Sequence, residues 1–247
     1  MFAPFLMMTP EVDEGITPVE SPLDIPSCIL WIEADVGITV DAGEATAIED
    51  QSTQSNDFAA VDTDTYAEYV ENELNGNPTL RSDGTAAYIH SNPSGWSGTA
   101  MTSVYVAEMP VWSGTKCIYN VGWNHYCQLS GGSFYWTLGS GAGAHKSTSF
   151  TAWAIISVVF DGTQADNASR LKVYKNGALW DEGDYGTVPS SLSDISSSEI
   201  NFLHYDNEGN GWVGDWAYWS VHMTAMTPAV RVTLEAYLSN KYGIAVA

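Results

Sequence analysis

The chain has 247 residues, 45% of them hydrophobic, with ten Trp and thirteen Tyr. That is enough to bury a core without disulfides or metals, and it excludes a wholly disordered chain. Thirty acidic residues against eight basic ones give a net charge of −22, which repels nucleic acid and anionic membranes and argues against both as partners.

Seven of the first ten residues, MFAPFLMMTP, are apolar and none is charged, and an acidic stretch broken by Pro10, Pro18, Pro22 and Pro26 follows. Seventeen acids precede the first base, Arg81. With no basic n-region, and with Pro4 interrupting the apolar run, this segment does not read as a signal peptide. Residues 1–26 read as an extended arm, since prolines hold a chain open. Its tip, Met1, Phe2, Phe5, Leu6, Met7 and Met8, reads as a plug that docks on a partner. Residues 27–247 read as a single domain.

From CILWIE onward, short runs rich in β-branched and aromatic residues predict strands: AAYIH, TAMTSVYVAEM, KCIYNV, SFYWTL, FTAWAIISVVF, RLKVYKN, EINFLHY and WVGDWAYWSVH. Gly, Ser, Asn and Asp clusters separate them, the pattern of an all-β sandwich or barrel. Asn176-Gly177 predicts a tight hairpin. Cys117 and Cys127 flank a second hairpin, CIYNVGWNHYC. With Cys28 they make an odd, sparse set, expected as free buried thiols. No Cys-x-x-Cys zinc signature occurs. The closing segment predicts a helix over about 228–241. Thr227 is its N-cap, Pro228 its first residue, Val230, Leu234, Tyr237 and Leu238 its apolar stripe, and Gly243 its stop.

Several segments, taken in order, resemble the laminin-G-like, concanavalin A-like jelly-roll domains of bacteriophage and bacterial surface proteins. These are CILWIEADVGIT; the loop IEDQSTQSNDFAA with Asp50, Gln51, Ser52, Asn56 and Asp57; ELNGNPTLRSDGTAAYI; VYKNGALW; and WVGDWAYWSVHM with the helix and SNKYGI after it. The resemblance spans about residues 28–244. It departs from the group's pattern at Ile48, Thr53 and Tyr218. It implies a two-sheet antiparallel jelly-roll sandwich with one C-terminal α-helix, preceded here by the arm.

No catalytic constellation is legible. Retaining glycosidases need two carboxylates about 5–5.5 Å apart; the nearest candidate, Glu182-Gly183-Asp184 in WDEGDYG, reads as a solvated loop. His90, His125, His145, His204 and His222 are scattered singly, with His204 and His222 in predicted strands. Laminin-G-like domains often hold calcium at the sandwich rim. Asp206, Asn207, Glu208 and Asn210 offer oxygen ligands for Ca2+, although a plain polar turn explains them equally well; no other cofactor is implied. Trp96, Trp123 and Trp212 sit beside glycines in predicted loops, as stacking platforms for a sugar or as covers for the core edge. The leading expectation is a non-enzymatic virion structural protein: a bacteriophage capsid decoration, head-fibre or tail-associated component. It would be made in the host cytoplasm, displayed on the virion surface, and docked through its arm on major capsid or tail protein, with a homotrimer as one arrangement. The alternative is a carbohydrate-binding or adhesin module that meets a host glycan through the rim tryptophans.

Overall fold

The structure is a computed structural model and describes residues 19–109, 115–121, 125–130, 133–138, 142–146, 151–193, 198–204 and 211–247. Its strands, in chain order, are β1 (Cys28–Glu33), β2 (Ile38–Asp41), β3 (Glu44–Ile48), β4 (Phe58–Ala60), β5 (Ala67–Leu74), β6 (Asn77–Asp83), β7 (Tyr88–Ser91), β8 (Ala100–Glu108), β9 (Thr115–Val121), β10 (His125–Ser130), β11 (Ser133–Leu138), β12 (Ala142–Lys146), β13 (Ala154–Asp161), β14 (Leu171–Lys175), β15 (Ala178–Tyr185), β16 (Glu199–Phe202) and β17 (Val213–His222). A single helical turn, α1 (Asn167–Arg170), precedes β14, and α2 (Pro228–Tyr242) follows β17.

Every strand ladder is antiparallel, and the pairings close on themselves. One layer runs β5–β6–β17–β8–β13–β14, with β1 beside β17. The other runs β3–β4–β7–β16–β9–β10–β11–β12. β15 joins the layers at one side, and the β3–β5 pair joins them at the other. The result is a flattened, closed sandwich of the jelly-roll kind, in which few strand edges are left open to other chains. The Asn176-Gly177 hairpin forms as expected, with φ of 49° and 86°, the left-handed pair that a two-residue turn of matching twist requires.

The core between the layers is aromatic. Trp219 of β17 stacks on Tyr119 of β9 at 4.6 Å and on Phe202 of β16 at 5.6 Å. Trp136 of β11 donates its indole N–H to Tyr105 of β8 at 2.8 Å, so the one polar atom each ring brings in is satisfied.

A second core lies outside the first layer, under α2. Val104, Val106, Ile155, Ala217 and Tyr218 face Leu234, Leu238 and Tyr242. The irregularity between Trp216 and Tyr218 lets Ala217 and Tyr218 both face the helix while Trp216 and Trp219 face inward. Thr227 caps the helix start and Gly243, with φ 69°, ends it, as the sequence predicts. Asn75 and Asn77 both donate to the carbonyl of Lys241 at 2.9 Å, tying the β5–β6 turn to the helix end.

Three sequence readings are corrected here. Residues 19–26 are not extended arm: Ser21 caps a short 3-10 turn over Pro22–Asp24, and Ile25 is 2% exposed in the helix-side core. Glu182-Gly183-Asp184 is not a loop but part of β15, because β12 and β14 both pair with that strand. His204 lies just past the end of β16 rather than in a strand. No disulfide joins the three cysteines; Cys117 and Cys127 are buried and Cys28 is half-buried. Burial raises the Cys28 and Cys127 thiols to about 12, which keeps them unreactive.

Candidate functional site

Two of the three rim tryptophans, Trp96 and Trp212, are buried. Trp96 is 4% and Trp212 1% exposed, and both belong to the inter-layer core. The short loops that carry them fold their rings inward, because burying an indole is worth more than displaying it. Trp123, the calcium candidates Asp206, Asn207, Glu208 and Asn210, and the docking tip Met1, Phe2, Phe5, Leu6, Met7 and Met8 lie outside the described residues. Among the described residues no group of three or more metal-binding side chains occurs.

The Asp50 loop is a structural hub. The Asp50 carboxylate accepts from the backbone N–H groups of Trp31, Ser52 and Asn56, each at 2.8 Å, and from the Ser52 hydroxyl at 2.6 Å. Asn56 donates to the Ile29 carbonyl at 2.7 Å and accepts from Ser94 N–H at 3.0 Å. These bonds satisfy buried backbone donors and leave Asp50 without spare capacity for a ligand.

A different set of residues converges on the outer face of the first layer and on the β3 edge joined to it. Register places Glu44 of β3 opposite Glu68 of β5, Glu68 opposite Arg81 of β6, Arg81 opposite Asp215 of β17, and Asp215 opposite Glu108 of β8. Their chain neighbours Ala45, Ala67, Leu80, Ala107 and Trp216 fill the core, so the row itself faces out. Arg81 is its only cation. The Arg81 guanidinium binds Asp215 through two N–H groups at 2.8 and 3.1 Å, reaches Glu73 at 3.1 Å, and lies 3.9 Å from Glu68. The hydrogen bond to Asp215 is the main reason its pKa is raised. Glu108 has its pKa raised by burial first and by Asp215 next. Hydrogen bonds from Thr85 lower that of Asp83.

Cavities open on both sides of Arg81. One, of about 400 Å³, is lined by Glu44, Thr63, Asp64, Tyr66, Glu68, Arg81, Asp83 and Thr85. The other, of about 380 Å³, is lined by Arg81, Ser82, Asp83, Glu108, Val213, Gly214 and Asp215. Each is within the size range of small-ligand sites. Together they offer fixed carboxylate acceptors, hydroxyls, one fork-shaped donor and one phenol ring.

No protein-family model matches the chain, and no curated protein matches it. Solved structures do. A GH54 α-L-arabinofuranosidase soaked with a cyclic sulfate inhibitor aligns with a TM-score of 0.59 at 14% identity, over 81% of this chain and 51% of that one. Domain 4 of an extracellular GH43 arabinanase from Geobacillus stearothermophilus, in complex with arabinotriose, aligns at 0.55 and 12%, over 85% of this chain and 98% of that one. The ligand-binding domain of botulinum neurotoxin serotype D, in complex with N-acetylneuraminic acid, aligns at 0.52 and 14%, over 85% and 51%. The chain thus spans about half of the arabinofuranosidase and of the toxin domain, and nearly all of the arabinanase domain. At these identities the likeness is one of fold, an all-β sandwich.

Sequence reasoning missed the Arg81 row because its members lie on five strands spread from residue 44 to residue 215. The one local signal was Arg81 itself, the first base after seventeen acids.

Proposed function

We propose that this domain is a non-catalytic carbohydrate-binding module whose site is the pair of cavities around Arg81. The observation that carries the reading is the Arg81 row itself. Sugar hydroxyls need acceptors and donors held at fixed positions, and the Arg81–Asp215–Glu73 pairing holds both before a ligand arrives. The carboxylates around the cavities favour uncharged sugars and repel sialylated or sulfated ones. The fold supports the reading, since domains of this architecture have been solved with arabinotriose and with N-acetylneuraminic acid. Glycans are met outside the cytoplasm, and we place the module there. Docking at a virion surface through Met1–Met8 rests on residues outside the described ones, and no observation favours it.

The test is calorimetric titration of the full chain with arabinotriose and other neutral oligosaccharides, beside N-acetylneuraminic acid. Binding of a neutral ligand, weakened at least about tenfold by Arg81→Ala, is expected, a loss typical of a central binding residue. Binding unaffected by Arg81→Ala, or confined to the acidic sugar, would refute the assignment. Release of reducing ends, abolished by Glu108→Gln, would replace it with hydrolysis: Glu108, with its raised pKa, and Asp215 would then be acid and nucleophile.

A further inference from the structure

The outer face of the second layer carries a surface of another kind. Phe134 and Trp136 of β11 point into the core, so Tyr135 between them points out. Register sets His145 of β12 opposite Tyr135, and the two rings stack at 4.5 Å and 19°. Tyr185 of β15 completes the cluster, 5.7 Å from Tyr135 at 77°, and is 48% exposed. Gly143 allows this close assembly: a Cβ there would fall 1.7 Å from the Trp136 carbonyl oxygen. Three paired strands hold the rings, so their geometry is fixed before any ligand arrives.

Beside the rings, polar atoms go unused. Among the described residues, His145 Nε2 and Asp181 Oδ2 are shielded from water and have no hydrogen-bond partner. They lie beneath the surface; the polar group exposed beside the rings is Asp184. Asp184 accepts from the His145 backbone N–H at 3.1 Å, which holds its carboxylate at the same place. The Asp181 carboxyl has its pKa raised, by burial first and by the Asp184 charge next, so a further negative charge here is unfavourable. An exposed ring with a fixed, exposed carboxylate beside it suits a saccharide: its C–H face covers the ring and a hydroxyl reaches Asp184.

We propose that Tyr135, His145 and Tyr185 form a second saccharide platform, on the opposite layer from Arg81, which takes an uncharged sugar on Tyr185 with a hydroxyl paired to Asp184. The proposal shares only its ligand class with the Arg81 reading. Two sites on opposite faces would let one domain bridge glycan chains or bind a dense glycan surface with avidity.

The experiment is binding of the full chain to an array of neutral and sialylated oligosaccharides at high density, comparing the natural protein with Tyr185→Ala, Tyr185→Phe, Arg81→Ala and the Tyr185→Ala/Arg81→Ala pair. Thermal melts confirm that each variant folds. Tyr185→Ala is expected to lower apparent affinity for neutral glycans at least about tenfold, because avidity between linked sites is lost. Tyr185→Phe keeps the ring and should stay within about threefold of the natural protein, and the double variant should lose binding. If Tyr185→Ala binds like the natural protein, the second platform is overturned and the Arg81 site stands or falls on its own variant. If Tyr185→Ala loses binding and Arg81→Ala does not, this platform stands and the Arg81 reading fails. If no neutral glycan is bound, both are refuted.

Discussion

At the scale of single residues, Asp50 shows how a signature that resembles a binding loop serves the fold instead. Its carboxylate accepts four hydrogen bonds, three of them from backbone N–H groups on two separate segments. Asp50→Ala leaves those donors buried without an acceptor and is expected to cost about 3 kcal/mol or more, since each orphaned donor is worth about 1–3 kcal/mol. Urea unfolding measures this. A midpoint equal to that of the natural protein would mean that water replaces the carboxylate. Trp96 and Trp212 teach the same lesson from the opposite side: a Trp flanked by glycines in sequence is indistinguishable from an exposed platform until the layers close over it.

At the scale of elements, α2 is fixed by polar anchors as well as by its apolar stripe. Arg231 binds both oxygens of Glu235 at 2.6 Å, lies 3.7 Å over the Tyr174 ring, and reaches the Gly177 carbonyl at 3.3 Å. Ser157 of β13 donates to the same Glu235 at 2.6 Å. Near the helix end, Lys241 pairs with Glu33 at 2.8 Å and with Asp35 at 2.9 Å, and Tyr242 donates to Glu33. Arg231→Ala strands Glu235 in a buried position and is expected to cost about 3–5 kcal/mol, whereas Arg231→Met with Glu235→Leu removes both charges and costs much less. Chemical denaturation of Arg231→Met, Glu235→Leu and the pair, read as a double-mutant cycle, decides this; equal losses in single and double variants would contradict it. The helix itself was legible because its signals are local. Thr227, Pro228 and Gly243 act within a few residues of themselves, whereas Ser157, Tyr174, Gly177, Glu33 and Asp35, which anchor Glu235, Arg231 and Lys241, lie far away in the chain.

At the scale of the whole molecule, pH acts on stability in two opposing ways. His125 and His222 are buried, and burial lowers each to about 4 from 6.5. The unfolded chain takes up these protons first as pH falls, so the stability tied to neutral histidines is full above about pH 6.5 and drains away towards pH 4, by at most about 3 kcal/mol for each. Glu33, Glu108 and Asp181, with pKa values raised chiefly by burial, act in the other direction: their folded forms hold protons more readily, and their contribution grows as pH falls. The net charge of −22 adds self-repulsion that acid also relieves. The histidine share is therefore read by difference. Urea midpoints at pH 7.5 and 4.5 should fall less for a His125→Leu/His222→Leu protein than for the natural one. Identical falls would mean that neither imidazole resists protonation in the fold.

What the sequence determined by itself is what depends on near neighbours: an all-β chain, the Asn176-Gly177 hairpin, the helix with both of its ends, and an acidity that disfavours nucleic acid. Alternation, turn chemistry and capping act over a few residues, so they survive without a partner. Only the tertiary structure decided which face each strand shows and which strands lie side by side. It moved Glu182 and Asp184 from loop to strand, and it packed residues 19–26 onto the domain. It aligned Glu44, Glu68, Arg81, Asp215 and Glu108 across five strands and gathered Tyr135, His145 and Tyr185 from three more. A strand places a residue on a face by its parity, but only its partners in the sheet say what stands next to it. Both candidate sites are made of such neighbours, which is why neither could be read along the chain.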